Sequence, residues 1–578
     1  MVGKVLKRRP IDNPALPATI HPVLRRVYRA RGIKAPGELD YALEQLPSPW
    51  LLSNIKTAVA LLAEALEQGW RILVVADFDA DGATSCALAV RALRLMGAGE
   101  VDYLVPNRFI HGYGLTPAIV AEAMARGRPD LIITVDNGIS SIDGVQTAQE
   151  ANIRVLVTDH HLPGSVLPAA DAIVNPNLPD DPFPSGCLAG VGVIFYVMLA
   201  LRAYLREQGW FARSGQGEPT LAPLLDLVTL GTVADVVPLD QVNRTLVAQG
   251  LARIRRHRCC VGIQALAACA RRSLENFTTS DLGFGVGPRL NAAGRLEDMS
   301  LGIACLLTDS PEVAQQQASE LDALNRERRE IESTMQNQAA IHLENLVFPG
   351  EEKGPLGYCL FDESWHQGVI GLLASRIREQ VYRPVIAFAP HDNEELKGSA
   401  RSIPGLHIRD ALDRVATSYP GLLSKFGGHA MAAGLSLPRV HLEPFRAAFL
   451  EVLEAQLDEE TLEDVILSDG ELDRWDLELA ETLRDGGPWG QGFPEPLFDG
   501  VFWVEGFRLV GEAHLKLTLT TLGNRQQLEG IAFRCLPPDW LEVGMKIRLA
   551  YRLDVNIYRD LRTVQLVVEY LEPVGREA

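Results

Sequence analysis

ILVVADFDADGATS, residues 72–85, runs from an apolar stretch into three acids at alternate positions, Asp77, Asp79 and Asp81. The apolar part, residues 71–76, reads as a buried strand: it is short, partly β-branched and bounded by polar residues. Residues 83–97, ATSCALAVRALRLMG, read as a helix stopped by glycine. Acids this dense repel one another and disfavour a strand. An Asp-Gly turn into the helix is one explanation. A bound cation is the other, because it removes the repulsion.

The pattern repeats outward from this stretch. Apolar runs at 101–105, 131–135 and 153–158 alternate with helical periodicity at 57–69, 116–127 and 143–151. Strands alternating with helices form βαβ units and a parallel sheet. Run 131–135 ends in Asp136, followed by Asn-Gly-Ile-Ser, and run 153–158 ends in Asp159-His160-His161. Open parallel sheets place their sites at the carboxyl ends of strands. Asp235 follows a further apolar segment in GTVADVVPL. Each signal alone has an ordinary structural explanation: a turn for Asp81-Gly82 or Asp136-Asn-Gly, a satisfied core histidine for His160. Three strands delivering acids and imidazoles to one edge fit a metal site better. Carboxylate-rich sites with histidine suit Mn²⁺ or Mg²⁺. Two such ions sharing a carboxylate are a common phosphoester-hydrolysing device.

The 578 residues suggest several domains, and 47% hydrophobic content is ample for packed cores. The net charge of −19 taken alone argues against nucleic acid, yet ARIRRHRCC (252–260), ARR (270–272) and NRERR (325–329) are basic. No apolar run reaches the ~18 residues of a membrane span, and no apolar stretch follows the basic N-terminus as in a signal peptide. The eight cysteines are scattered, with one adjacent pair and no CxxC, which fits neither a disulfide scaffold nor a zinc ribbon. A reducing, cytoplasmic location is the expectation.

Residues 1–45 read as an N-terminal arm with a short helix or two. Residues 46–310 read as an α/β domain, with further helices expected at 188–206, 222–233 and, as a basic stretch, 241–272. Residues 311–346 contain no glycine and no internal proline, and Leu321, Leu324, Ile331, Met335, Ala339 and Leu343 recur near helical spacing. This is a long helix connecting domains. A smaller α/β domain follows over 347–460. Residues 461–578 carry short strands at regular spacing, as in a β-barrel of the oligonucleotide-binding (OB) type.

DFDADG, TVDNGIS, TDHH and GTVADVVPL, in that order, resemble the motifs of the DHH phosphoesterase superfamily. PNRFIHGYGL (106–115), LAGVGV (188–193), GPRLNAAGRL (287–296), KGSARS (397–402), FGGHAMAAG (426–434) and GPWGQGFPEP (487–496) narrow the resemblance to its RecJ branch, single-strand-specific 5′→3′ DNA exonucleases. It covers most of the chain. It implies a parallel-sheet DHH catalytic domain, a connecting helix, a DHH-associated domain and an OB-fold barrel. It also implies two divalent cations, Mn²⁺ or Mg²⁺, held by Asp77, Asp79, Asp136, His160 and Asp235, with Asp136 as the bridge. Asp81 supports the site or reaches a metal. His161 completes a metal shell or contacts the scissile phosphate, and Asp159 orients a histidine. Pyrophosphatase-like relatives carry a metal-binding histidine four residues before the first acid. Here that residue is Leu73, as in the RecJ branch.

On this resemblance Arg108, Ser399 and Arg401 take the 5′ phosphate, since a guanidinium fork and a hydroxyl suit that group. His429 either contacts the phosphate or belongs to a structural glycine turn, Tyr113 either stacks a base or is a packed core residue, and Arg289, Asn291 and Arg295 line the path of the strand. The implied partners are single-stranded DNA, a single-strand-binding protein and a RecQ-type helicase, with no membrane and a monomeric chain. A narrow passage between domains would exclude duplex. The rival readings are a DHH phosphodiesterase for short oligoribonucleotides or cyclic dinucleotides, and an inactive single-strand-binding module.

Overall fold

The computed structural model describes residues 4–12, 16–107, 110–346, 354–392, 394–511, 513–523, 525–558 and 561–574. It divides into two compact units, Arg8–Leu324 with Ser468–Ala578, and Met1–Lys7 with Asn325–Leu467.

The first unit is built on a five-stranded parallel sheet. Its strands are Arg71–Ala76, Glu100–Leu104, Leu131–Val135, Arg154–Thr158 and Ala172–Val174, and in space the second lies outside the first, followed by the third, fourth and fifth. Successive side chains point to opposite faces, and both faces are buried. Ile72, Val74 and Ala76 join the larger core with helices Ile55–Gln68, Ala80–Leu95 and Gly190–Glu207. Leu73 and Val75 join a second core beneath helices Pro117–Gly127 and Ile142–Glu150. Leu73 is therefore a packing residue. The strand order reverses between Arg71–Ala76 and Leu131–Val135, and in such sheets the crevice at that switch is where ligands bind.

Two expectations change. The helix expected at 83–97 begins three residues earlier, at Ala80, so Asp81 and Gly82 lie in its first turn. Asp79 is the N-cap: its Oδ1 accepts the amides of Asp81 and Gly82, both at 3.0 Å, and this outweighs the Asp-Gly turn tendency. The stretch 241–272 is two helices, Gln241–Ile254 and Val261–Cys269. The break includes His257 at φ 56°, a backbone conformation that ends a helix.

The same unit ends in a closed barrel, ordered Phe498–Val510, His514–Thr521, Gln527–Ala532, Leu561–Pro573 and Lys546–Tyr558. A parallel pair, Gly530 with Leu566 and Ile531 with Val567, closes it. Leu515, Leu517 and Leu519 alternate inward and are fully buried. Helix Leu477–Asp485 lies between strand Val465–Ser468 and the first barrel strand.

Helix Pro311–Leu346 is 36 residues long, about 54 Å at 1.5 Å per residue, and carries the chain from one unit into the other. The second unit holds a mixed sheet ordered Lys425–Gly428, Ala432–Pro438, Glu395–Arg401, Val385–Pro390 and Tyr358–Phe361. Helices Ile408–Ser418 and Leu442–Glu454 share its core through Leu412, Val415, Phe445 and Phe449. At the N-terminus, strand Val5–Arg8 pairs with Val465–Ser468, and a helix spans Pro22–Arg29. The eight cysteines are free, and among the described residues no helix is long and apolar enough to cross a membrane.

Candidate metal centre

Strand register brings the acids into line. Ala76 pairs with Val135, and Val135 with Thr158, so the three strands end level. The next residue in each case is an acid whose amide still bonds to the neighbouring strand: Asp77 to the Val135 carbonyl at 3.3 Å, Asp136 to Thr158 at 3.1 Å, Asp159 to Val174 at 3.2 Å. Asp136 sits at φ 62°, in the left-handed region, which turns the chain sharply at the strand end. Asp235 arrives from elsewhere, at the C-terminus of helix Leu225–Ala234.

These side chains converge in three overlapping groups whose ligand atoms lie within 4.8 Å of one another: Asp77, Asp79 and Asp136; Asp81, His160 and Asp235; Asp136, His160 and His161. His160 Nε2 is 3.1 Å from Asp136 Oδ1 and 3.5 Å from Asp235 Oδ2. Both of those oxygens are buried without a hydrogen-bond donor. Buried oxygens of this kind call for a partner, and a divalent cation suits acids and imidazole together. The residues present therefore fit the expected metals.

A surrounding layer fixes the cluster. Asp159 Oδ1 lies 2.7 Å from His161 Nδ1 and Asp159 Oδ2 accepts the Ile139 amide at 2.9 Å. Asn175 and Asn177 donate to the carbonyls of His161 and His160 at 2.8 and 2.6 Å, clamping the double histidine from the next strand end. Asp81 Oδ2 and Oδ1 accept the amides of Gly190 and Val191 at 2.6 and 3.0 Å, so this carboxylate anchors the start of helix Gly190–Glu207. A Cβ at Gly190 would lie 2.5 Å from Asp136 Cβ. Sequence reading missed Gly190, Asn175 and Asn177. The signal for the two asparagines was their place just after the short run Ala172–Val174, another strand end.

Burial, then the charges of Asp81 and Asp79, pushes the carboxyls of Asp136 and Asp235 well above the usual range. Burial and Asp79 push Asp81 up to about 7, against the opposing pull of the Val191 and Gly190 amides. Burial alone lowers His161, but Asp159 outweighs it and holds the ring at about 9. The folded chain thus keeps carboxyl protons that the unfolded chain gives up near pH ~4. A folded state holding more protons loses stability as they leave. In chelator the melting temperature should fall as pH rises from about 6 to about 8, and saturating Mn²⁺ should reverse the fall. Calorimetry at several pH values checks this; a flat chelated profile would contradict it.

Tyr113 lies beside the cluster, its hydroxyl 3.4 Å from His161 Nδ1 and its ring edge-on to His161 and Phe78. It is 44% exposed. Arg108 lies outside the described residues. Asn291 does not simply line a path: its Oδ1 accepts the Ala80 amide at 2.8 Å, tying helix Gly287–Leu296 to the acid loop. Gly294 on the same helix lies against the Phe78 carbonyl, where a Cβ would collide with the oxygen. Arg295 is half-buried one turn after Asn291.

Arg289 is engaged within the fold. Its guanidinium is buried, with Nε 2.9 Å from Asp322 Oδ1 and further bonds to the carbonyls of Gly285 and Cys269. Each of its three nitrogens has a partner within the fold. Arg289→Ala should lower stability by about 2 kcal/mol, since it strands a partly buried acid. Oligonucleotide affinity should not change. Thermal unfolding and fluorescence anisotropy check the two halves of this prediction.

In the second unit, Ser399 and Arg401 share one face of strand Glu395–Arg401, with Arg401 Nη1 3.0 Å from Ser399 Oγ. Arg401 Nε also donates to Ser375 Oγ at 3.0 Å. A Cβ at Gly371 would lie 2.8 Å from Arg401 Nη2 and 3.0 Å from Ser399 Oγ, so the pair sits over the start of helix Ile370–Val381. Guanidinium, hydroxyl and helix N-terminus together suit an anion. His429 lies in the exposed turn leading into strand Ala432–Pro438, which pairs with the Ser399–Arg401 strand.

A parallel sheet with acids and a double histidine at its carboxyl edge, a separate mixed-sheet unit and a closed barrel define a DHH-domain protein. The DHH family N-terminal domain matches residues 71–232, the DHHA1 domain 354–459 and the RecJ OB domain 468–570. The chain belongs to the RecJ family. The single-stranded-DNA-specific exonuclease RecJ of Dickeya dadantii (strain 3937) is 54% identical over 572 residues, covering 98% of this chain and 99% of that protein. The protein of the same description from Escherichia coli (strain K12) is 53% identical over 574 residues, again 98% and 99%. The crystal structure of RecJ from Thermus thermophilus in complex with Mn²⁺ superposes with a TM-score of 0.77 at 30% identity, over 96% of this chain and 76% of that one. RecJ from the same species is also solved in complex with Mg²⁺, with a TM-score of 0.72 at 29% identity, covering 96% and 76%.

Proposed function

We propose that this protein is a metal-dependent exonuclease that degrades single-stranded DNA from its 5′ end to 5′-mononucleotides, in recombination and repair. The observation that carries the reading is Asp136, one carboxylate shared by two ligand groups. Asp77, Asp79 and Asp136 would hold one divalent cation, and His160, with Asp136 and Asp235 each beside its Nε2, would hold the other, Mn²⁺ or Mg²⁺. When bound, these ions supply Lewis acidity toward the phosphodiester and ionise water at neutral pH. Asp81 keeps helix Gly190–Glu207 against Asp136. His161, held protonated by Asp159, presents a cationic donor to a phosphate oxygen. Residues 46–310 carry the chemistry, 347–460 take the 5′ phosphate through Ser399 and Arg401, and 461–578 grip the strand further along. The names of the curated relatives support the substrate. A single-strand-binding protein and a RecQ-type helicase fit the same reading as partners.

The test offers 5′-labelled single-stranded DNA, a dinucleotide, a cyclic dinucleotide and pyrophosphate to the protein with Mn²⁺ or Mg²⁺. Mononucleotide release from the 5′ end of the polymer is expected. Turnover of dinucleotides alone would point to the phosphodiesterase alternative, and no turnover with either metal to an inactive binding module.

A further inference from the structure

Helix Gly287–Leu296 and the wider π-helical turn Leu282–Val286 before it are buried on most sides. Between Leu282 and Arg295 the residues that keep accessible surface are Gly283, Phe284, Pro288, Asn291 and Arg295. Phe284, Pro288, Asn291 and Arg295 are spaced four, three and four apart, which puts them on one helical face. That face ends at the acid loop, where Asn291 receives the Ala80 amide and Gly294 meets the Phe78 carbonyl. At its other end Phe284 is 75% exposed, about 10 Å from Asn291 by helical rise.

A lone exposed phenylalanine is ordinary on a protein surface. Its placement here is not. It stands on a π-helical turn, a local widening that recurs at functional sites. Glycines flank it on both sides. A Cβ at Gly283 would touch only Val233, at 3.7 Å, and one at Gly285 would meet Ala270 at 3.5 Å and Arg272 at 3.6 Å. Neither sequence neighbour puts a side chain beside the ring, which is 75% exposed, and the exposed Arg271 and Arg272 lie in the segment packed near Gly285. An exposed ring, near guanidinium groups and in line with a phosphoester site, is the chemistry of an unpaired base.

We infer that Phe284 is a stacking platform for an unpaired base of the substrate strand, 3′ of the nucleotide being removed. The inference rests on the proposed exonuclease function and adds a residue to it. The test measures binding of fluorescently labelled oligodeoxythymidylate to the full chain in EDTA, so that nothing is cleaved. Phe284→Ala should weaken binding about tenfold, and Phe284→Trp should restore it, whereas Phe284→Leu should not. A series of oligonucleotides with one abasic site at successive positions from the 5′ end supplies the second arm. At one position the abasic strand should bind wild-type protein about tenfold more weakly and be indifferent to Phe284→Ala. Melting temperatures of all three variants should match wild type, as the side chain is exposed. Wild-type affinity in Phe284→Ala, full affinity in Phe284→Leu, or an equal loss at every abasic position would each overturn the assignment. If the wild-type protein itself neither binds nor degrades single-stranded DNA, the proposed function falls as well, and the two failures are told apart.

Discussion

Asp136→Ala should reduce hydrolysis of single-stranded DNA by about a thousandfold or more, with strand affinity nearly unchanged. Removing a single donor to a reacting oxygen costs about 10²–10³ in rate, and Asp136 serves two ligand groups at once. Its loss also deletes a buried oxygen that faces His160 at 3.1 Å. The residue is 2% exposed and belongs to the strand end, so it offers little surface for holding DNA. Single-turnover assays with Mn²⁺, paired with anisotropy, read the two quantities separately. Activity within tenfold of wild type would remove the shared-carboxylate reading. Isothermal titration should also show fewer Mn²⁺ bound per chain.

Gly190→Ala should also be strongly damaging, although glycine supplies no ligand. The added methyl would stand 2.5 Å from Asp136 Cβ and 2.7 Å from its Oδ1, so either the acid or helix Gly190–Glu207 must move. The helix is held by the bond from the Gly190 amide to Asp81, and the acid by its strand. Overpacking of this kind costs about 1–3 kcal/mol. A displacement approaching 1 Å at a reacting group costs about 10² in rate. The expected result is a roughly hundredfold fall in kcat, weaker Mn²⁺ binding and a lower melting temperature. A fully active Gly190→Ala enzyme would show that helix and acid have slack the structure does not display.

The parallel sheet and its acidic edge were legible because the strands are short, mostly apolar runs and three of them stop at an acid, Asp77, Asp136 and Asp159. Asp77, Asp136 and Asp159-His160-His161 announce themselves in this way, and register then levels them. The first-turn position of Asp81 was not legible. Asp-Gly signals a turn locally, and only the Asp79 cap and the Gly190 amide show that it belongs to a helix. The engagement of Arg289 was hidden for a related reason: its partner Asp322 lies 33 residues further along, in a different helix. Gly190 and Gly294 were invisible as site residues because their contribution is the absence of a side chain. Asn175 and Asn177 act through backbone carbonyls of the histidines, and no spacing rule marks such contacts. Ser399 and Arg401 entered through the resemblance alone; strand Glu395–Arg401, whose period of two puts them on one face, was not legible in this glycine-rich stretch.

The barrel closes through a parallel pairing of Gln527–Ala532 with Leu561–Pro573. A ring of strands has no open margin on which a further chain could be added by main-chain hydrogen bonds. Any ligand of the barrel must therefore be met by side chains and loop tips rather than by strand addition. Closure also denies neighbouring molecules a template for edge-to-edge growth, which lowers the risk of aggregation through this part of the chain.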